Sequence, residues 1–209
     1  MVEVYYYKLP DRIPIDFEKH LLLADEEYRL KVLRLKSDDK KMQKLYAHLL
    51  LKALLYKKFG INPFDVRLLK TQSGKPYIET HEICFNVSHT EGAVAVALSE
   101  TEVGIDIEKQ RTVKDALIDK ILSFEERQYI EQGGANMRKR CFFECWTKKE
   151  AVAKYYGISA LEKTADNKNL KVKHIDIEGY LLSVCSDQDD VIFSKVDLLD
   201  DFLDLFILA

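Results

Sequence analysis

Two segments decide how this chain is read: VGIDIEK at 103–109 and FFECWTKKEAVAK at 142–154. In the first, Val103, Ile105 and Ile107 alternate with Gly104, Asp106 and Glu108, the period-two pattern of a strand with one buried face. Asp106 and Glu108 then project from the same face. Their positions are roughly 6–7 Å apart along an extended chain, so the two carboxylates can converge on one hard cation, whose preferred ligands are oxygens. In the second segment, the lack of Gly and Pro and the spacing of Phe142, Phe143, Trp146 and Ala153 predict a helix. Glu150 and Lys154 stand one turn apart on one side of it. A third carboxylate and an ammonium are thereby available to the same site, and Trp146 reads as core.

Around these segments the 209-residue chain is 47% hydrophobic, enough for a substantial core in one large or two small domains. A net charge of -3 with both signs abundant excludes a nucleic-acid binder by composition. The charge is unevenly placed, however: residues 28–75 hold thirteen Lys and Arg against three Asp and Glu. Such an excess attracts a phosphate-rich ligand; the plainer alternative is a solvated helical face. The opening MVEVYYYKLPDRIP has neither the basic start nor the apolar core of a signal peptide, and no run approaches transmembrane length. A cytoplasmic, monomeric protein with no membrane partner is expected. Cys84, Cys141, Cys145 and Cys185 lack CxxC spacing and lie in apolar surroundings, so they are read as reduced core residues.

Taken in order, VEVYYY at 2–7 predicts a strand, and 16–35 a helix. Ser37, Asp38 and Asp39 are N-cap candidates for a helix carrying Met42, Leu45, Tyr46, Leu49, Leu50, Ala53 and Leu54 at helical spacing, stopped by Gly60. A strand at 65–70 precedes the turn QSGKPYI at 72–78. ICFNVSH (83–89) and GAVAVALS (92–99) predict a hairpin with Thr90 and Glu91 between its strands and Ser88 and His89 at its turn. A Ser-His hydrolase is discounted, because neighbours on extended chain point apart and no nucleophile elbow surrounds them. Helices are predicted at 113–122, 123–132 and 136–157, and strands in GYLLSVCSD, VIFSKVDLL and the closing FLDLFILA. NVSHTEGAVAVAL has a faint echo in SVCSDQDDVIFSKV, a hint of duplicated halves. Mixed elements without strict βαβ alternation indicate an α+β fold.

The ordered set GKPYI (74–78), FNVSHTEGAVAVAL (85–98), VGIDIEK and FFECWTKKEAVAK resembles the Sfp-like 4′-phosphopantetheinyl transferases. The pairing of a GIDIE strand with a W-x-x-KE-x-x-x-K helix some forty residues later is the specific part. The resemblance implies a pseudo-twofold arrangement of two similar α/β halves, divided as 1–102 and 103–209, with coenzyme A in the cleft between them. It implies Mg²⁺-dependent transfer of the phosphopantetheine arm to a serine of an apo acyl- or peptidyl-carrier protein, releasing 3′,5′-ADP. It further implies Asp106, Glu108 and Glu150 as metal ligands, Glu150 and Lys154 as catalytic residues, and Lys44, Lys75, Pro76, Ser88, His89, Asp106 and Lys154 as coenzyme A contacts. The chemistry suits phosphoryl transfer, which needs charge neutralisation and an oriented hydroxyl more than covalent help.

Two positions depart from the family pattern. Where an arginine often serves the nucleotide phosphate early in the long helix, this chain has Gln43 beside Lys44, leaving that contact open among Lys40, Lys41 and Lys44. The common G-x-G-L pattern beyond Lys154 reads here as Gly157-Ile158-Ser159-Ala160-Leu161. Readings from other classes are a metal-dependent nuclease or nucleotide hydrolase, and a silent coenzyme A-binding module.

Overall fold

The structure is a computed structural model that describes residues 1–79, 83–131, 135–160 and 169–196, with backbone only at 135 and 136. Among the described residues the elements run β1 (Val2–Lys8), α1 (Phe17–Leu21), α2 (Glu26–Leu33), α3 (Asp38–Phe59), β2 (Leu68–Lys70), β3 (Pro76–Ile78), β4 (Cys84–Thr90), β5 (Ala93–Ser99) and β6 (Val103–Lys109). They continue with α4 (Asp115–Ile121), α5 (Phe124–Glu131), α6 (Ala135–Tyr156), β7 (Lys171–Ile177), β8 (Tyr180–Ser186) and β9 (Val191–Lys195). The fold is α+β, with a four-stranded sheet in the order β4-β5-β1-β9, a three-stranded sheet β6-β8-β7, and the small hairpin β2-β3.

Each large sheet presents one face to the other and one face to helices. On β5, Ala93, Ala95 and Ala97 face β6, β7 and β8, meeting Ile105, Ile107, Leu182 and Val184. The intervening Val94, Val96 and Leu98 pack with the apolar residues of α3. Beyond the second sheet, Leu181 packs with Ile118, Ile130, Phe142 and Phe143 of α4, α5 and α6. The result is four layers, helix, sheet, sheet, helix, and every residue of β5 is buried. Full burial of each Val or Leu side chain contributes about 1.5–3 kcal/mol.

Several expectations are corrected. The helix expected at 16–35 is two helices, because the carboxylate of Asp25 accepts from the Tyr28 backbone N–H at 2.9 Å and starts a new one. The strand expected at 65–70 is shortened to Leu68–Lys70, since Asn62 Oδ1 accepts from Phe64 N and holds a turn ahead of it. Part of the expected turn at 72–78 is strand, with Pro76, Tyr77 and Ile78 pairing with Lys70, Leu69 and Leu68. Glu91 and Gly92 separate β4 from β5, with Gly92 at a φ of 78°. Ser88 and His89 are therefore strand residues and not turn residues. Finally, β6 is buried on both faces from Val103 to Ile107, where a single buried face was expected. FLDLFILA lies outside the described residues. The expected capping of α3 is present, with Ser37 Oγ accepting from Lys40 N and Gly60 left-handed at φ 67°. All four cysteines are free.

Gly104 sets how closely α6 approaches β6. A Cβ there would lie 2.0 Å from the Ala151 carbonyl oxygen and 2.5 Å from the Tyr155 nitrogen, both backbone atoms that cannot rotate away. Gly104→Ala must push the helix off the strand. The expected outcome is a loss of about 3 kcal/mol or failure to fold, measured by urea denaturation; an unchanged midpoint would contradict this packing.

A second consequence concerns acid stability. His48 is buried against Tyr28, ring centroids 3.9 Å apart, and neither ring nitrogen has a hydrogen-bond partner among the described residues. Burial, then the Lys52 charge, lowers its pKa from 6.5 to about 3. Between those values the unfolded chain binds the extra proton, so stability is unaffected above pH 6.5 and declines as pH falls below it. At pH 5 the loss from this one group is about 2 kcal/mol. His48→Leu is expected to flatten the fall between pH 7 and 5 in the same denaturation series.

Candidate active site

The facing edges of β4 and β6 are joined by side chains and not by a backbone ladder. Asn86 Oδ1 accepts from Ile105 N at 3.1 Å, Ser88 Oγ from Ile107 N at 3.2 Å, and Thr90 Oγ1 from Lys109 N at 3.4 Å. Both partners advance by two residues at each step, so the alternation of each strand matches that of the other. The other edge of β6 pairs with β8, Asp106 lying opposite Ser183.

This seam places acidic groups beside a cation. Ser88 Oγ, while accepting from Ile107, donates to Asp106 Oδ1 at 2.9 Å. From α6, Lys154 Nζ donates to the same Oδ1 at 2.7 Å and to Ser88 Oγ at 3.0 Å. Asp106 is 4% exposed and its Oδ2 is buried without a hydrogen-bond partner among the described residues. One step along, Thr90 Oγ1 donates to Glu108 Oε2 at 3.1 Å and Trp146 Nε1 to Oε1 at 3.3 Å. Burial and the neighbouring Asp106 charge raise the pKa of Glu108 against these two donors, and the same two causes raise that of Glu150.

Cavities open on either side. One, of about 390 Å³, is lined by Glu108, Glu150, Trp146, Phe142, Leu117 and Ser159 among others. The other, of about 690 Å³, lies between α2, α3 and the β2-β3 hairpin; Lys44, Pro76 and His89 line it together with Lys31, Arg67 and Lys70. The cluster of Ser88, Asp106 and Lys154 stands between residues of one cavity and residues of the other. Such an arrangement can neutralise a phosphate-rich ligand at one end and move a proton at the other.

The model of the 4′-phosphopantetheinyl transferase superfamily matches residues 102–202, and the model of the N-terminal part of a 4′-phosphopantetheinyl transferase matches 12–102. The chain belongs to the 4′-phosphopantetheinyl transferase superfamily. These are enzymes. The 4′-phosphopantetheinyl transferase gsp of Aneurinibacillus migulanus is 26% identical over 75% of this chain and 66% of its own length. A 4′-phosphopantetheinyl transferase of Bacillus subtilis is 24% identical over 77% and 73%, and a putative one of Haemophilus influenzae is 33% identical over 56% and 51%.

Within this chain the structure gathers Ser88, Asp106 and Lys154 through direct bonds, sets Glu108 and Glu150 around one cavity, and brings Lys44, Pro76 and His89 to the other. Lys75 is placed differently. Its Nζ donates to Glu102 and to the backbone carbonyls of Tyr155 and Val103, at 3.0 and 3.3 Å, tying the β2-β3 hairpin to the start of β6 and the end of α6. Among the described residues, no three His, Cys, Asp or Glu side chains are gathered as a metal-holding group; Lys154 is the direct counter-charge of Asp106. The sequence reading missed Asn86 and Thr90, whose signal was a hydrogen-bonding residue at every second position of the strand. Trp146, read as core, is partly buried against the cluster of α4, α5 and α6, and its indole N–H also serves Glu108.

Ser88→Ala removes the acceptor for Ile107 N and a donor to Asp106 in a buried site. A loss of about 1–3 kcal/mol in urea-unfolding stability is expected; a neutral change would mean that the seam carries no load at Ser88.

Proposed function

We propose that the chain transfers the 4′-phosphopantetheine arm of coenzyme A to a serine of an apo acyl- or peptidyl-carrier protein, releasing 3′,5′-ADP. The observation that carries this reading is the Ser88, Asp106 and Lys154 cluster flanked by a basic cavity and by a cavity lined by Glu108 and Glu150. The basic cavity would take the nucleotide end, with Lys44, Pro76 and His89 on its wall and Ser88 beside it. Lys75 would act there by holding the GKP hairpin. The proposal extends to a pseudo-twofold pair of halves, 1–102 and 103–209, which is supported by the two family models adjoining at residue 102. A monomer working in the cytoplasm completes it.

Asp106, Glu108 and Glu150 would hold Mg²⁺. The donor set fits: Asp106 Oδ2 lacks a hydrogen-bond partner among the described residues, and Glu108 and Glu150 are pushed toward protonation by burial and by the neighbouring Asp106 charge. All the donors are the oxygens that a hard cation prefers. When bound, the ion would supply charge neutralisation on the diphosphate. Lys154, already held on Asp106 and Ser88, would offset the charge on the departing 3′,5′-ADP. Glu150, on the cavity wall, would accept the proton of the carrier serine as its oxygen attacks the β-phosphorus and the bond to the ADP oxygen breaks.

Incubation with coenzyme A, Mg²⁺ and a panel of apo carrier proteins, followed by intact mass measurement, tests this. A carrier is expected to gain one phosphopantetheine arm, and to gain nothing when its acceptor serine is replaced. Glu150→Gln should lower single-turnover rates by about a hundred- to ten-thousand-fold with coenzyme A still bound, whereas Lys154→Ala should weaken both binding and turnover. Because the Glu150 pKa is raised, the rate should fall with acidification at a higher pH than an ordinary glutamate would give. No gain with any carrier, despite bound coenzyme A, overturns the reading.

A further inference from the structure

Gln43 is fully buried in the first turns of α3 and makes three polar contacts. Its Nε2 donates to Asp39 Oδ2 at 2.5 Å, and its Oε1 accepts from Lys40 Nζ at 3.1 Å. A carboxylate only accepts and an ammonium only donates, so the orientation of the amide is set from both sides. A flipped amide would turn NH₂ toward the ammonium and oxygen toward the carboxylate. The same Oε1 faces His89 Nδ1 at 3.1 Å. An amide oxygen cannot donate, so Nδ1 must carry the hydrogen.

We propose that Gln43 is a positioning residue that holds His89 in its Nδ1–H tautomer, leaving Nε2 as the ring nitrogen for a ligand in the basic cavity. On the neutral ring, Nε2 is an acceptor. It meets a hydroxyl or amino group as it stands, and meets a phosphate oxygen only after taking a proton. The groups around the ring oppose that proton in the free protein: Lys40 and Lys44 on α3 and Lys154 on α6 are positive, and Arg67 and Lys70 share the cavity. The negative groups are engaged elsewhere, Asp39 by Gln43, Asp106 by Ser88 and Lys154, Glu108 by Thr90 and Trp146, and, on the cavity wall, Asp25 by the Tyr28 N–H and Glu27 by Lys31. Burial and the lysines accordingly hold the imidazole below its ordinary pKa. A phosphate dianion reverses the balance, so phosphate recognition here is coupled to uptake of one proton at Nε2.

The ligand half of this inference rests on the coenzyme A reading; the tautomer half does not. Heteronuclear correlation of the His89 ring nitrogens in the free, full-length chain should show Nδ1–H in the wild type. Gln43→Met, which keeps the length and removes the acceptor, should abolish that preference. The pair Asp39→Asn with Gln43→Glu keeps an acceptor facing Nδ1 and a donor facing residue 43, and should restore it. An Nε2–H ring in the wild type, or an unchanged tautomer in Gln43→Met, overturns the proposal. Calorimetry with coenzyme A and dephospho-coenzyme A between pH 6 and 8 supplies the second readout. The preference for the 3′-phosphate should rise toward pH 6 in the wild type, fall about tenfold in Gln43→Met and recover in the double variant. An equal preference in all three proteins also overturns it. If the wild type binds neither compound, the coenzyme A reading fails and the nitrogen spectra alone decide the role of Gln43.

Discussion

Three side chains on β4, those of Asn86, Ser88 and Thr90, receive the backbone N–H groups of Ile105, Ile107 and Lys109. That seam is the constraint on which the remainder of the site rests. A continuous backbone ladder would leave no role for polar side chains at the strand edge. A seam of side chains spaces the strands apart, and two of the three hydroxyl or amide groups then bond onward to Asp106 and Glu108. The groups that hold the two sheets in register are therefore the groups that aim the acidic residues.

The same economy extends to α6. Gly104 lets the helix backbone lie against β6, and only from that distance does Lys154 reach both Asp106 and Ser88. Thr147, about two turns before Lys154, bonds Ser183 of β8 at 2.5 Å, pinning the helix to the strand residue opposite Asp106. Lys154 bonds Asp106 directly, while burial and then the Asp106 charge raise the pKa values of Glu108 and Glu150.

Much of this was legible in the sequence. The alternation in VGIDIEK and the four-residue spacing of Glu150 and Lys154 identified the strand and the helix that carry the acidic residues, because period and charge are local properties. Helix ends marked by Ser37 and Gly60 were equally plain. The break at Asp25 was readable as Asp-Glu-Glu, an N-cap followed by an acidic first turn, but the surrounding apolar residues obscured it. The burial of Asp106 and Gly104 was not legible, since whether the second face of a strand meets solvent or a helix depends on layers contributed from elsewhere in the chain. Nor was the engagement of Lys75 with Glu102 and two carbonyls, which needs residues 27 and 80 positions away.

The pairing of β9 with β1 has a kinetic meaning. Val2 lies beside Val191 in a parallel register, so β1 does not acquire its second neighbour until residue 191 has been made. Closing so long a loop is entropically slow, and until then one edge of β1 offers unsatisfied backbone groups to any passing strand. Nascent and truncated chains ending before residue 191 would be expected to need a holding factor, or to aggregate through that edge, even where α3 and the β4-β5 hairpin are already formed.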